Sequence, residues 1–530
     1  MNRLLSNFRN DAPASVVVLL VALPLCLGIA LGSKAPLFSG IIAGIVGGIV
    51  VGSISGSALS VSGPAAGLTT IVAGAIGSLP SFEAFLLAVV MAGIIQFILG
   101  MLKAGILGDF VPNSVIKGML AAIGIILILK QFPHLVGYDA DYLGDESFSQ
   151  EGDENTFTAL LHAVRAITPA ALVIGAVSLA LLILWETPYL KKIRLLQLVP
   201  GPLVVVIVGT ALNAVFLRNN PGFALQAEHL VSLPVADSLE TFSGFFSFPD
   251  LSMLNKPGVW TTAFTLAVVA SLETLLSIEA IDKLDPYKRV SPTNRELRAQ
   301  GIGNMVSGML GGLPVTSVIV RSSANVNAGA RTKLSAILHG LLMLICVLLI
   351  PGLLNKIPLA ALAAILIYTG YKLAKIPMLR SFYQKGWDQF VPFIVTILAI
   401  LFTDLLVGII IGIMVGLFYM IRSNFRSSVL LVNDRSNYLF RLRKDVSFLN
   451  KPLIKQKLES VPENSFVIID ATRSDFIDKD VIEVINEYLA HAHLKNIRVE
   501  VKKSLHKPMH LLFRVPGAEI QSLTEPELKP

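Results

Sequence analysis

The chain has 530 residues, of which 54% are hydrophobic and only 15% are charged, and its net charge is +7. A soluble chain keeps about 25% charged residues to solvate its surface, so the composition excludes an ordinary soluble protein and indicates that lipid surrounds most of the chain. The positive charge does not indicate nucleic-acid binding, because the basic residues cluster beside apolar segments.

Enzyme and metal-site patterns are also missing from the sequence. It contains no recognisable nucleophile–base pair and no Gly-rich nucleotide-binding motif. Cys26 and Cys346 both lie within apolar segments, and two such cysteines offer neither a disulfide framework nor metal-ligand spacing. We therefore predict no enzymatic activity, no cofactor and no metal.

Apolar segments of about 20 residues recur along the chain, each long enough to cross a hydrocarbon layer about 30 Å thick. They predict an α-helical polytopic membrane protein with about 14 spans. The first seven lie near 13–32, 38–56, 63–78, 84–104, 113–133, 168–186 and 197–217. The second seven lie near 259–281, 297–312, 315–330, 333–350, 357–374, 388–404 and 405–423.

The charged loops indicate how these spans are oriented. Basic loops fall on one side of the predicted bundle, at 189–194, 282–298, 330–333 and 371–385. The segment 138–154, with seven acidic residues and no Lys or Arg, falls on the other side. Because basic loops are enriched in the cytoplasm, we predict that both termini are cytoplasmic and expect the inner membrane of a bacterium.

Hydropathy falls after Arg422, which predicts a transmembrane domain at 1–425 and a small α/β domain at 434–522. The candidate strands are 438–443, 465–470 and 496–503, and the candidate helices are 450–461 and 479–494. The basic segment 422–426 ends the last span, so we expect this domain in the cytoplasm. Residues 523–530 are predicted to be a disordered tail.

Two segments carry Ser, Gly and Pro where a membrane helix is usually apolar. They are 57–74 in the third span and 311–330 in the tenth, which is the third of the second seven. Matching interruptions in two halves are typical of inverted-repeat transporters, although tight helix packing also selects small residues. We expect half-helices to begin near Gly63–Ala66 and Val315–Ser317, where their N–H groups and dipoles favour an anion.

Polar side chains follow these interruptions. Arg321 adds a full positive charge to the predicted anion site, unless it forms a structural ion pair or reaches an interface. The hydroxyls of Thr69, Ser317 and Ser322 are candidate donors to the anion. Their alternative role is to bond the carbonyls of their own helix.

Glu273 lies inside the apolar segment of the eighth span, with Ser277 one turn later on the same face. Ionisable residues at membrane depth are costly and usually mark ion pathways or proton relays. A carboxylate beside an anion site is expected if a proton or a cation neutralises it when the anion binds. The alternative is a structural pair with Arg321 or another cation.

The motifs together resemble the SulP anion permeases, also called solute carrier family 26, over essentially the whole chain. The resemblance rests on PLCLGIALG at 24–32, VSGPAAGL at 61–68, SLETLLSIEAIDK at 271–283 and GGLPVTSVIVRSSANVNAGART at 311–332. The C-terminal region resembles the STAS domain of that family. The resemblance implies two inverted seven-helix repeats that form core and gate domains, a homodimer, and an elevator-type movement of the core.

The family resemblance also implies a substrate site between spans 1, 3, 8 and 10. Carried onto this sequence, the substrate-binding residues are Pro24, Cys26, Gly28, Ile29, Gly63, Pro64, Ala65, Ala66, Thr69, Ser317, Val318, Ile319, Val320 and Arg321. Glu273 and Ser277 are the coupling residues. The implied substrate is a small inorganic anion, sulfate or bicarbonate first.

Two departures from the family pattern qualify these expectations. Ile319 stands where sodium-coupled bicarbonate members carry a hydroxyl, so sodium coupling is disfavoured against proton coupling or exchange. Asp478-Lys479-Asp480 replaces the DSSG-like pattern that is phosphorylated in related anti-sigma antagonists, so we expect no such switch. The alternative functions are a nucleobase permease of the same fold, a passive anion channel, and a membrane sensor.

Overall fold

A computed structural model describes residues 7–140, 148, 155–187, 199–235, 242–427, 429–443, 445–504 and 506–513, without the side chains of 109 and 422–427. The chain divides into two compact units, 1–416 and 417–530. The predicted basic loop 189–194, most of the acidic segment and the predicted tail lie outside the described residues.

Fourteen helices of the described chain correspond in order to the predicted spans and confirm an α-helical polytopic fold. The first seven are α1 Phe8–Gly32, α2 Leu37–Ile54, α3 Ala66–Ser78, α4 Phe82–Met101, α5 Asn113–Val136, α6 Pro169–Trp185 and α7 Gly201–Asn219. The second seven are α8 Pro257–Leu284, α9 Thr293–Met309, α10 Ile319–Asn327, α11 Leu334–Leu349, α12 Leu359–Leu373, α13 Trp387–Phe402 and α14 Leu405–Ser427. Short helices, among them Thr156–Arg165 and Ile376–Gln384, lie in the connections.

The helices differ in their suitability for lipid. In the described chain, seven are long and apolar enough to cross a membrane, and α6 with the preceding helix makes a pair bent by 112°. The helices α3, α11, α13 and α14 are apolar but shorter. By contrast, α9 is too polar for any of these classes and α10 has only nine residues, and the rest of the protein buries much of both helices.

Helix packing divides the first unit into two groups. The core group contains α1–α4 and α8–α11, with α9 and α8 packed along α4 and α11 along α1. The gate group contains α5–α7 and α12–α14, with α12 and α13 packed along α5. Glycines permit the close approaches: a Cβ on Gly301 would lie 2.6 Å from the backbone nitrogen of Phe97, and one on Gly370 would lie 3.0 Å from the Cβ of Leu127.

In α2, a π-helical turn at Gly47–Val51 brings the helix against its neighbours. A Cβ on Gly47 would lie 2.8 Å from the backbone nitrogen of Gly63, and one on Gly48 would lie 2.6 Å from the Cα of Gly340. Such turns are frequent at functional sites. Through this turn, α2 contacts the third-span interruption at Gly63 and α11 at Gly340.

The first unit contains two short strands, β1 Ser62–Pro64 and β2 Val315–Ser317. The second unit contains a four-stranded sheet in which the first strand is antiparallel to its neighbour and the other strands are parallel, in sequence order. Its elements are β3 Val429–Asp434, β4 Asn437–Leu442, α15 Lys451–Glu459, β5 Phe466–Asp470, α16 Lys479–His491 and β6 Arg498–Lys502. The helices α15 and α16 make the crossovers that parallel strands require. The sequence prediction missed β3, an edge strand whose second half is exposed and therefore carries little hydrophobic alternation.

Candidate functional site

The two interrupted segments meet in the core group as a short antiparallel pair. Strand β1, Ser62–Pro64, pairs with β2, Val315–Ser317, in the register Ser62↔Ser317 and Pro64↔Val315. The predicted half-helix starts overlap these strands: α3 begins at Ala66, the last residue of its predicted range, and α10 begins at Ile319, two residues after its predicted range. Backbone at membrane depth must be satisfied within the protein, and pairing the two strands satisfies both.

An amide framework holds β2. Asn304 accepts a hydrogen bond from Val315 N at 2.5 Å and donates one to Val315 O at 3.0 Å, and it also donates to Gln96 at 2.5 Å. On the other strand, Gln300 donates to the hydroxyl of Ser62 at 2.7 Å. All these groups are buried, so each side chain replaces a hydrogen bond that water supplies elsewhere.

The framework residues of α9 were not predicted as part of the site. Glu296, Gln300 and Asn304 are spaced four residues apart, which places them on one helix face. Glu296 accepts a hydrogen bond from Ser55 at 2.6 Å and one from Gln300 at 3.2 Å. The signal was therefore present in the sequence, as a polar stripe in a predicted span.

Arg321 is completely buried, and its guanidinium lies behind β1. A Cβ on Gly63 would collide with Nη1, while Nη2 donates to the carbonyl of Pro64 at 3.4 Å. Within the described chain, Nε and Nη1 have no hydrogen-bond partner, and no carboxylate forms an ion pair with Arg321. The thiol of Cys26 also lies within hydrogen-bonding reach.

The three predicted hydroxyl donors have different surroundings. Ser317 shares a hydrogen bond with Ser60 at 2.7 Å, and Ser322 donates to the carbonyl of Val318 at 2.7 Å, one turn earlier in the chain. Ser322 thus bonds the start of its own helix, and its hydroxyl oxygen also accepts a hydrogen bond from the backbone N–H of Val61 at 2.9 Å. Thr69, at the start of the regular part of α3, is buried, and its hydroxyl has no partner among the described residues.

Glu273 and Ser277 lie where α8 faces the start of α3 and the gate group. They line a cavity of about 10 Å³ together with Gly67, Met119 and Leu405, roughly the space that one water needs. A Cβ on Gly67 would lie 3.2 Å from Oε1 of Glu273. The half-buried carboxylate therefore approaches the N-terminal end of α3, four residues after the glycine that contacts Arg321.

The remaining predicted site residues contribute shape and no polar side chain. Ile29 and Ala65 belong to one apolar cluster with Val315, which seats the start of α3 on α1. The buried members of the set are Pro24, Gly28, Ile29, Pro64, Ala65, Ile319 and Val320. Ala66 and Val318 are half-buried.

A second cavity, of about 230 Å³, separates the core group from the gate group. Val17 and Ala324 line it from the core side, and Tyr368 and Lys372 line it from the gate side. Lys372 forms an ion pair with Glu186 at 2.8 Å. Charged and polar groups therefore reach the boundary between the two groups.

One carboxylate just beyond the end of α5 joins the last turn of that helix to the segment that follows α7. The oxygens of Asp139 bind Nδ1 of His134 at 2.5 Å and Nδ1 of His229 at 2.6 Å. Burial acts to raise the pKa of Asp139, but the hydrogen bonds from both histidines outweigh it and hold that pKa below its ordinary value. The same hydrogen bond raises the pKa of His229.

Comparison with known proteins places this architecture. The putative sulfate transporter YvdB of Bacillus subtilis (strain 168) is 25% identical over 445 residues, covering 84% of this chain and 79% of YvdB. The bicarbonate transporter BicA of Picosynechococcus sp. is 26% identical over 414 residues, covering 76% of this chain and 68% of BicA.

Structure and family models agree with these relatives. The murine Solute Carrier 26 family member A9 anion transporter, in the inward-facing state, matches with a TM-score of 0.64 at 15% identity, covering 95% of this chain and 86% of that chain. At this identity the likeness shows the fold alone. The model of the sulfate permease family matches residues 8–396, which is most of the chain. The chain therefore belongs to the sulfate permease family.

Proposed function

We propose that this protein is a secondary transporter of a small inorganic anion, with sulfate and bicarbonate as the first candidates. The observation that carries the proposal is a fully buried arginine, with two nitrogens unpartnered among the described residues, beside the paired strands that precede two half-helices. The names of YvdB and BicA, a putative sulfate transporter and a bicarbonate transporter, support this substrate class.

The anion binds close to the N-terminal ends of α3 and α10. Backbone N–H groups at a helix start carry a partial positive charge and favour an anion without any metal. Arg321 contributes a full positive charge. Because it is buried behind Gly63, this charge lies in a low-dielectric interior, where it attracts an anion more strongly than in water. The unpartnered hydroxyl of Thr69 is available as a further donor.

Glu273 couples anion movement to a second ion. Its carboxylate approaches the same end of α3 that attracts the anion, so the two negative charges compete for one positive region. Protonation of Glu273 removes this competition and permits the loaded site to cross the low-dielectric barrier. Sodium is disfavoured because a hard cation requires several oxygen ligands, and the side chain of Ile319 supplies none.

Transport proceeds by movement of the core group against the gate group. The binding residues all belong to the core group, while the small cavity at Glu273 and the larger one at Lys372 lie along the boundary. An elevator movement carries the site along this boundary without taking the amide framework apart. We further propose a homodimer in a bacterial inner membrane, with the C-terminal STAS-like domain in the cytoplasm supporting assembly and not anion binding.

Tracer flux tests the proposal. The purified protein is reconstituted into proteoliposomes, and uptake of labelled sulfate, bicarbonate and uracil is measured under a proton gradient, a sodium gradient, or neither. We expect concentrative uptake of one inorganic anion, driven by protons or by a counter-anion. Glu273→Gln should keep anion exchange and lose proton-driven accumulation.

Three results would contradict the proposal. Concentrative uptake of uracil alone would favour the nucleobase permease. Uptake that only dissipates the anion's own gradient would favour a passive channel. Accumulation driven by sodium alone would contradict the role assigned to Ile319.

A further inference from the structure

A cavity of about 300 Å³ lies where α8 ends and α5 begins, apart from the binding residues described above. Charged side chains from both helices and from the loop after α8 line it: Lys117, Glu279, Asp282, Lys283, Lys288 and Arg289. Lys117 belongs to the gate group, and the others belong to the core group. The cavity is therefore shared by the two groups, at the end of the bundle predicted to be cytoplasmic.

The carboxylates that line this cavity already have hydrogen-bond or ion-pair partners within the chain. Glu279 forms an ion pair with Lys283 one turn later in α8. Asp282 accepts two hydrogen bonds from Ser291, from its backbone N–H at 2.6 Å and from its hydroxyl at 2.7 Å. Nearby, Asp285 binds the guanidinium of Arg289 through both oxygens, at 2.6 and 3.2 Å.

Two amines are left without a carboxylate among the described residues. Lys288 donates only to the backbone carbonyl of Lys283, at 2.9 Å. Lys117 is half-buried and has no hydrogen bond or ion pair in the described chain. Lys283, Lys288 and Lys385 all lie near enough to act electrostatically on Lys117. Like charges at such range repel each other, and a bound anion removes that cost.

The size and the wall of the cavity indicate the class of ligand. Its volume is at the lower end of the range for small-molecule sites, about 300–1,000 Å³, and exceeds the need of one inorganic anion. Lysine binds phosphate groups as a point charge, and the two amines without a carboxylate, those of Lys117 and Lys288, suit a ligand with more than one negative charge. Val290, which is 87% exposed, gives the wall an apolar part beside the amines.

We propose that this cavity binds a phosphate group of a polyanionic ligand, supplied by an anionic lipid headgroup or by a soluble phosphate compound. The ligand contacts Lys117 on the gate side and Lys288 on the core side, and so bridges the two groups. If the core moves against the gate, as the proposed function requires, a bridging ligand restrains that movement. It then slows flux without changing the affinity of the transported anion.

Binding to the purified full chain is the first test. Calorimetry with pyrophosphate, and co-flotation with phosphatidylglycerol vesicles against pure phosphatidylcholine vesicles, distinguish the soluble source from the lipid source. Lys117→Gln and Lys288→Gln should each weaken binding of the effective probe about tenfold, as expected for the loss of one charge-assisted contact. Lys256→Gln is the matched control, because Lys256 is exposed at the other end of α8. Lys288 is on an exposed loop, so Lys288→Gln should fold normally. It therefore still tests the proposal if Lys117→Gln fails to fold.

Flux is the second test. Saturation with the effective probe should lower the maximal rate of anion uptake and leave the half-saturating concentration unchanged, and Lys117→Gln should abolish this inhibition. Failure of both probes to bind, or equal binding by wild type and both variants, would overturn the proposal. Displacement of the probe by the transported anion would also overturn it, by making the cavity an entry site. Because binding is measured without transport, failure of the proposed function would not affect the first test.

Discussion

The two half-helices have the same plan and different surroundings. In α10, residues 319–325 are all buried, and β2 before it is held by the amides of α9. In α3, only Thr69, Val72 and Ala75 are buried after the short entry turn. A Cβ on Gly74 would meet nothing within 4 Å. One half-helix is fixed on all sides and the other is covered on one face.

This difference in packing suggests different roles for α3 and α10, although the two interrupted segments are similar in sequence. The α10 side holds its charge rigidly, because Arg321 is enclosed and β2 cannot shift without breaking buried hydrogen bonds. The α3 side faces Glu273 and the gate group and is more loosely packed. We expect structural substitutions to act mainly through the α10 side and specificity changes through the α3 side.

The largest effect on transport is expected from Gly63→Ala. The added Cβ would collide with Nη1 of Arg321, so the fully buried guanidinium has to shift within the site. We expect loss of transport and a cost of about 1–3 kcal/mol in stability, as for overpacked cores. Uptake and thermal unfolding measure the two effects. Gly74→Ala is the matched control, since its Cβ enters open space, and equal behaviour of the two variants would contradict the enclosure of Arg321.

Asn304→Leu tests the rigidity of the α10 side. It leaves the N–H and the carbonyl of Val315 buried and unsatisfied, at about 1–3 kcal/mol for each group. We expect a clear fall in the unfolding temperature and in uptake. Asn219→Leu, at an exposed position that ends α7, should change neither. An unchanged unfolding temperature in Asn304→Leu would show that β2 does not depend on this amide.

A smaller effect separates the hydroxyls of the two sides. Thr69→Val removes an unpartnered hydroxyl with little change in shape, so it should weaken anion affinity by about 0.5–1.5 kcal/mol and leave stability unchanged. Ser322→Ala removes a bond within the α10 segment and should lower stability without changing affinity. Calorimetric affinity and unfolding temperature together test this contrast, and an affinity loss confined to Ser322→Ala would reverse it.

The smallest effect is the pH dependence of stability. It has to be distinguished from the pH dependence of uptake, which we assign to Glu273. The raised pKa of His229 means that its contribution to stability is complete below about pH 6.5 and is lost as pH rises through the folded value. The lowered pKa of Asp139 means that its contribution is present above about pH 3.9 and is lost as pH falls through the folded value. The stabilisation by the hydrogen bond between Asp139 and His229 should therefore be greatest between these limits. Unfolding temperature against pH should lose this maximum in Asp139→Asn, while proton-driven uptake keeps its own pH dependence.

The sequence predicted most of the fold, because lipid imposes a strong pattern on it. Span order, the two interruptions and all but one strand of the C-terminal sheet followed from hydropathy and from Gly and Pro. The pairing of β1 with β2 did not follow, since three-residue strands carry no periodic signal. The polar stripe at Glu296, Gln300 and Asn304 was visible in the sequence, but its partners in β1 and β2 are set by tertiary packing.

The candidate site was predicted unevenly for the same reason. The sequence marked Arg321 and Glu273 by their charge at membrane depth and left their relation open. The structure separates them, with Arg321 against Gly63 and Glu273 against Gly67. Which hydroxyl is engaged and which is available depends on the local backbone, as Ser322 and Thr69 illustrate.

Equilibrium binding of labelled sulfate and bicarbonate to Arg321 variants tests the central claim most directly, because it needs no gradient and no movement of the core. With folding verified by thermal unfolding, Arg321→Ala should weaken binding by about 1–3 kcal/mol, as expected for a charge-assisted hydrogen bond. Arg321→Lys should restore part of the affinity, since the charge remains while the planar fork is lost. Wild-type affinity in a folded Arg321→Ala protein would contradict the account and leave Arg321 a purely structural residue.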